Sequence, residues 1–164
     1  MPERAPRRLT PRRLAVTALL FALTVLHCAA KEQSLAELKL RFANAPPEEQ
    51  PQLAVQIAQR DLRTADDLYR DGKVDEARAN VDEVVSYCEK ARDAALQTKK
   101  RIKNVEIDTR KMADKLRDIK RTLGFDDQAP VDQAIRRLED VRTVLLQEMF
   151  AKDEKKEERK KEKP

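Results

Sequence analysis

Apolar residues recur at helical spacing along most of this 164-residue chain. From Val74 to Leu123 the spacing alternates between three and four without a skip, a 3.5-residue period that is typical of a coiled-coil helix. No glycine or proline lies between these two residues, so the pattern predicts one continuous helix. Apart from two threonines, the predicted seam comprises Val74, Ala77, Val81, Val84, Cys88, Ala91, Ala95, Ile102, Val105, Met112, Leu116, Ile119 and Leu123.

Shorter helices are predicted on both sides of this seam. Ser34 and Glu37 have the spacing of a capping box, which predicts a short helix from Ser34 to about Ala45. A second helix is predicted over residues 52–70. The last is predicted from about Val131, with apolar positions at Ala134, Ile135, Leu138, Val141, Leu145 and Met149.

Proline and glycine residues separate the predicted helices. Three prolines lie within residues 46–51, after the first helix. Residues 71–73 place Gly72 where a helix C-cap favours glycine. Residues 124–130 end in Pro130, which suits a first helical turn.

These breaks predict two antiparallel hairpins. Helix 52–70 should fold back against 74–95, because both segments offer small residues that permit close approach. The last helix has the length to fold back over 102–123. The predicted fold is all-α, with elongated helical hairpins that share one long central coiled-coil helix. Two helices side by side leave part of each apolar stripe uncovered, so a homodimer or another protein partner is expected.

The first thirty residues have the composition of a targeting segment. Five arginines and one glutamate precede an uncharged run over residues 14–26. A basic start, an apolar run and a small-residue end are typical of an export signal. Counted to Ala30, the uncharged stretch is 17 residues long, which is at the lower limit of about 17–25 residues for a membrane span. Residues 1–30 are therefore predicted to be an export signal or an N-terminal membrane anchor, and the protein is expected in the periplasm or tethered to a membrane of the cell envelope.

Two processing routes remain open at the end of this segment. The residues Val25-Leu26-His27-Cys28 resemble the signal end of bacterial lipoproteins, which implies Cys28 as a lipidation site. The alternative is cleavage after Ala30 by Ala-x-Ala-like processing, which would leave Lys31 as the new terminus.

Three further regions follow the targeting segment. Residues 31–50 are predicted to form the short helix and a proline-rich linker, and residues 51–150 the hairpin and coiled-coil domain. Residues 151–164 form a charged tail, which is expected to be disordered or a frayed helix because nothing apolar follows Ala151.

Charge balance depends on whether the first thirty residues are kept. The whole chain has 35 basic and 30 acidic residues and a net charge of +5, whereas residues 31–164 have 30 and 29, for a net charge of +1. This removes the global case for nucleic-acid binding. The basic cluster of Lys99, Lys100, Arg101 and Lys103 lacks the interleaved aromatics of single-strand binders. A solvated helix turn, or contact with an anionic envelope surface, is expected there.

Residues 31–164 offer little catalytic chemistry. The only histidine, His27, lies in the predicted signal, and no glycine-rich phosphate loop is present. We therefore predict a protein that is not an enzyme, with no catalytic, cofactor-binding or metal-binding residues and no small-molecule substrate. Cys88 is expected to be a buried structural thiol, with an intermolecular disulfide across a dimer seam as the alternative.

A segment of about 20 residues resembles the middle of a tetratricopeptide repeat. The resemblance rests on the spacing of Ala65, Leu68, Gly72, Ala77, Val81 and Val84. It implies a peptide-binding groove formed by stacked hairpins. The order of export signal, alanine-rich hairpins and coiled coil is also similar to small helical lipoproteins of bacterial envelopes.

Two functions are consistent with these patterns. The favoured one is a non-catalytic, exported cell-envelope protein that acts as a coiled-coil scaffold, spacer or assembly partner through the predicted seam. The alternative is a tetratricopeptide-like adaptor in the periplasm that binds peptides or proteins through the hairpin at 52–95.

Overall fold

The computed structural model describes residues 34–161, with side chains as far as residue 152. Within this range every regular element is an α-helix, which confirms the predicted all-α class. The predicted targeting segment, with Cys28 and Ala30, lies outside the described residues. We number the helices in chain order: α1 (Leu35–Asn44), α2 (Gln50–Arg70), α3 (Val74–Thr98), α4 (Ile102–Thr122) and α5 (Phe125–Lys161).

Local signals set the ends of the first two helices. Ser34 accepts a hydrogen bond from the Glu37 amide at 3.2 Å, and Glu37 Oε2 accepts one from the Ser34 amide at 2.9 Å, so the predicted capping box is formed. At the end of α2, Gly72 takes φ +75, in the left-handed region that glycine enters readily. The amides of Gly72 and Lys73 bond back to the carbonyls of Tyr69 and Leu68, which is a Schellman termination.

The predicted continuous helix from Val74 to Leu123 is wrong. The chain leaves the α-helix after Thr98 and resumes it at Ile102, because Lys99 (φ 56) and Arg101 (φ 60) both adopt left-handed backbone conformations. Lys100 joins these two residues. The turn contains no glycine or proline, so it carries none of the usual sequence signals of a helix break. Tertiary packing reverses the chain at this point.

The two hairpins stack on each other. Helix α2 packs against α3, and α4 against α5, as predicted, and α3 also packs against α5 and α2 against α4. Two ion pairs join α3 to α5: Arg78–Asp127 at 2.6 Å, and Glu89–Arg137 at 2.8 Å. Residue numbers rise together along both helices from the first pair to the second, so α3 and α5 are parallel. The helices of one hairpin therefore lie beside their counterparts in the other, in parallel pairs.

Stacking buries the predicted seam inside a single chain. Eleven of its thirteen apolar positions, from Ala77 to Ile119, are buried, and Val74 and Leu123 pack against the same core. The polar position Thr109 is also buried. The apolar surface that suggested a dimer is thus covered by the chain's own hairpins.

Helix α1 and a set of ion pairs complete the stack. The backbone of helix α1 lies close to that of α2 and to no other of the described helices. Its side chains reach further, since the Phe42 ring contacts the Tyr87 ring of α3 edge-on, with centroids 5.7 Å apart.

Ion pairs join α4 to α5. Arg142 donates a hydrogen bond to Glu106 at 3.0 Å, and Lys120 donates one to Asp132 at 2.7 Å.

Helix α5 begins six residues before the predicted start and contains Pro130. Asp126 and Asp127 in its first turn favour a helix there, because carboxylates stabilise the positive end of the helix dipole. Proline costs the hydrogen bond to the Asp126 carbonyl, but Asp126 is exposed and water can replace the lost donor. The helix continues to Lys161, through most of the segment predicted as a charged tail.

Truncation of Leu138 tests this core. Leu138 is 0% exposed whereas Leu40 is 66% exposed, so the same leucine-to-alanine change samples opposite environments. We expect Leu138→Ala to lower the free energy of unfolding by about 2–5 kcal/mol through lost burial and a residual cavity. Leu40→Ala should change it by less than about 0.5 kcal/mol. Urea denaturation followed by circular dichroism measures both, and equal effects would contradict the packing described above.

Candidate functional site

A polar cleft of about 190 Å³ lies between the first turns of α2 and α4. Its α2 wall carries Gln52, Gln56 and Gln59. Spacings of four and three residues place these side chains on one face of the helix. The α4 wall begins at the left-handed Arg101. We call this cleft the amide cleft and define it by its polar side chains, Gln52, Gln56, Gln59, Arg101, Asn104 and Asp108.

The chemistry of the amide cleft matches a peptide backbone. Each glutamine or asparagine amide offers both donors and an acceptor, as a peptide group does. Arg101 and Asp108 add one charge of each sign, and the buried residues Pro51 and Val105 provide apolar lining. The cleft can therefore pair with a polar, extended chain more readily than with an apolar ligand.

A second, larger cleft of about 400 Å³ lies between the same two helices near their carboxyl ends. Asp66 lies in its wall and bonds to Lys115 at 2.9 Å and to Arg70 at 2.6 Å. The Asp66–Lys115 ion pair bridges α2 and α4. The charged groups of this cleft are therefore already in ion pairs, including Asp118, which pairs with Arg121 at 2.9 Å.

Tyr69 and Arg78 line a third cleft, of about 180 Å³, between α3 and α5. The Tyr69 hydroxyl and the Arg78 Nε are buried and have no hydrogen-bond partner among the described residues. Burial raises the pKa of Tyr69. Asp127 accepts a hydrogen bond from Arg78 Nη2 at 2.6 Å, Asp75 forms an ion pair with Nη1 at 3.5 Å, and Asp82 lies in the wall. Acidic groups thus surround the two buried donors, which are placed for a small polar group or a water molecule.

Asp61 is a buried carboxylate where α1 meets the first hairpin. It is 1% exposed, its Oδ2 lies 4.0 Å from Lys39 Nζ, and that oxygen accepts no hydrogen bond from the described residues. Lys39 bonds more closely to Glu83, at 2.8 Å. Burial raises the pKa of Asp61 to about 6, against a lowering by Lys39 and with a further increase from Glu83.

Cys88 is a free thiol at the centre of the core. It is 0% exposed, and burial raises its pKa to about 12. A thiol reacts as its thiolate, so both effects suppress reactivity. The structure places Cys88 between helices of one chain, where it fills space as a small apolar side chain.

The predicted seam residues are brought together, but as a core rather than an accessible surface. Apart from Arg101 of the basic cluster, the polar residues that line the clefts were not predicted as candidate residues. Asp61 left a signal, since it interrupts the apolar stripe of α2, whereas Tyr69 and Arg78 look like ordinary surface positions. Among the described side chains, no group of three or more histidine, cysteine, aspartate or glutamate residues could hold a metal ion. Within residues 34–161, no helix combines the length and apolarity that a membrane crossing requires.

Comparison with known proteins does not assign the chain to a family. No protein-family model, curated protein or solved structure matches it.

Titration of Asp61 should make stability depend on pH. Its folded pKa of about 6 lies above the ordinary value of 3.8, so the folded protein binds this proton more tightly than the unfolded chain does. Its contribution to stability therefore falls as pH rises from about 4 to about 6. Asp61→Asn keeps the shape and removes the charge. We expect it to be more stable than the wild type at pH 7.5 by on the order of 1–2 kcal/mol, and equal to it near pH 4.

Asp67→Asn, on the exposed face of the same helix, is the matched control for this measurement. Urea denaturation of the wild type and both variants from pH 4 to 8 gives the differences directly. A constant difference between Asp61→Asn and the wild type over this range would contradict a raised pKa at Asp61.

Proposed function

We propose that the protein is a non-catalytic, exported component of the cell envelope that binds a protein segment through the amide cleft. The observation that carries this proposal is the cleft between α2 and α4, lined by four amide side chains and flanked by one positive and one negative charge. This is the adaptor alternative of the sequence analysis. It is favoured over assembly through an open seam, because the seam residues are buried within one chain.

Stacked hairpins support the adaptor proposal. Helices α2 and α4 lie side by side and parallel, which is how the first helices of successive tetratricopeptide-like repeats form a groove. Helix surfaces satisfy their own backbone groups, so only side chains in such a groove can bond to a ligand. Here Gln56 and Asn104 supply that capacity from opposite walls. An extended peptide segment carrying both charge signs is the ligand that fits best.

The N-terminal segment supports the envelope location. Residues 1–30 combine arginines, an apolar run and a small-residue end that includes Cys28, a composition typical of export or anchoring. Helix α1 begins at Leu35, directly after this segment, and packs on α2. A tether at Cys28 or in the apolar run would attach the chain to a membrane.

Intact-mass analysis of the protein from envelope fractions tests its location. We expect either a chain that begins at Cys28 and carries a lipid or a chain that begins at Lys31. A complete chain in the membrane fraction would indicate the anchor alternative. A complete chain that begins at Met1 in the cytoplasmic fraction would contradict export.

Substitution of Gln56 tests the amide cleft. Gln56→Arg places a long charged side chain in the cleft, and Gln147→Arg makes the same change on the exposed surface of α5. We expect Gln56→Arg to reduce recovery of a partner that co-purifies with the wild type at least about tenfold, the equivalent of losing about 1.4 kcal/mol of binding free energy. Gln147→Arg should have no effect. Quantitative mass spectrometry measures recovery, circular dichroism checks folding, and equal recovery with both folded variants would contradict the proposal.

A further inference from the structure

The turn between α3 and α4 is strained. Lys99 and Arg101 both have positive φ, at 56 and 60, in a region where the Cβ atom crowds the backbone. At the α2–α3 turn, by contrast, Gly72 takes the left-handed position without this penalty. The three residues from Lys99 to Arg101 also place three cations next to one another.

The start of helix α4 at this turn is poorly capped. Its N-cap residue, Arg101, provides no side-chain cap, and the first turn contains no acidic residue. Lys103 instead places a cation near the positive end of the helix dipole. A continuous helix would restore the hydrogen bonds between the last carbonyls of α3 and the first amides of α4.

The apolar spacing runs through the turn as if no turn were present. Ala95, Thr98, Ile102 and Val105 keep the three-four-three alternation on both sides of it. Two helices joined by a turn do not need a common phase, whereas one continuous helix does. In the folded chain Thr109 of α4 lies beside Cys88 of α3, so the two halves of the seam face each other.

We propose that two copies of this chain exchange hairpins by straightening the α3–α4 turn. In the exchanged dimer α3 and α4 form one helix, and the α2–α3 hairpin of each copy packs on the α4–α5 hairpin of the other. Two such helices lie antiparallel, with α3 of one copy against α4 of the other, as α3 and α4 lie in the closed chain. The occupant of each released hairpin surface is therefore a second copy of the same chain.

The closed chain and the exchanged dimer contain the same hairpin-to-hairpin contacts. The Arg78–Asp127 and Glu89–Arg137 ion pairs form within one chain in the first and between chains in the second. The difference lies in the turn, where straightening removes the strain, and in the entropy of joining two chains. Dilution favours the closed chain, since its hairpins are held at high effective concentration. Crowding on a membrane surface favours exchange.

Split cysteine variants of the full chain test exchange. One copy carries Arg78→Cys and the other Asp127→Cys, and the two are co-expressed and treated with a short bis-maleimide. The two sites meet only at the hairpin-to-hairpin contact, so we expect a covalent product of two chains. A single chain with both substitutions reports that the contact forms, and the wild type controls for its own cysteines. The absence of a two-chain product, when the doubly substituted chain cross-links internally, would overturn the proposal.

Glycine substitutions separate turn strain from flexibility. Lys99→Gly relieves a left-handed residue of the closed turn, whereas Lys100→Gly adds a glycine at a residue without positive φ. Both lysines pair with a glutamate outside the turn, at 2.9 and 2.8 Å, which makes the two variants well matched. We expect the Lys99→Gly variant to form roughly fivefold to tenfold less two-chain product than the Lys100→Gly variant, because only Lys99→Gly removes the cost of a left-handed side chain from the closed turn. Equal effects would overturn strain in the turn as the cause of exchange.

Discussion

Helix α2 covers one side of α3, and α5 covers one side of α4, but each pair leaves apolar surface open on its other side. The two hairpins pack against each other and bury this remaining surface. Ala91, Val105 and Leu116 are buried in this way. Burial of apolar area is the dominant favourable term in folding, and this contact joins all four long helices. Ion pairs such as Arg78–Asp127 lie at its edge and are partly exposed, so they align the hairpins more than they stabilise them.

The buried polar groups around this core differ in how well hydrogen bonds compensate their loss of contact with water. Asp61 carries a desolvation cost at neutral pH that Lys39 compensates only in part, since the Asp61 Oδ2 accepts no hydrogen bond from the described residues and Lys39 lies closer to Glu83. The Tyr69 hydroxyl and the Arg78 Nε are buried donors without a hydrogen-bond partner among the described residues, and both residues line a cleft. Glu106 and Arg142 form a mostly buried pair with two hydrogen bonds, which compensates their desolvation better.

The proposed binding function and the proposed exchange share Arg101, which lines the amide cleft and is a left-handed residue of the turn that exchange straightens. The amide cleft lies between α2 and α4, which pack together in the closed chain and would pack together across chains in the proposed dimer. Exchange would therefore build the walls of each cleft from two chains and would change the backbone at Arg101. It would also reconcile the uninterrupted heptad pattern with a folded chain that breaks after Thr98, because each arrangement satisfies the same apolar seam.

The sequence by itself determined the all-α class, the capping box at Ser34, the glycine turn at Gly72 and the pairing of helices into hairpins, since these depend on local capping and on helical periodicity. Tertiary structure decided the reversal at Lys99–Arg101, because left-handed lysine and arginine are stable only where packing offsets their strain. It also decided the clefts and the burial of Asp61. Helix α2 contacts α1, α3 and α4 at once, and one helix's periodicity does not tell which neighbour will cover each of its faces.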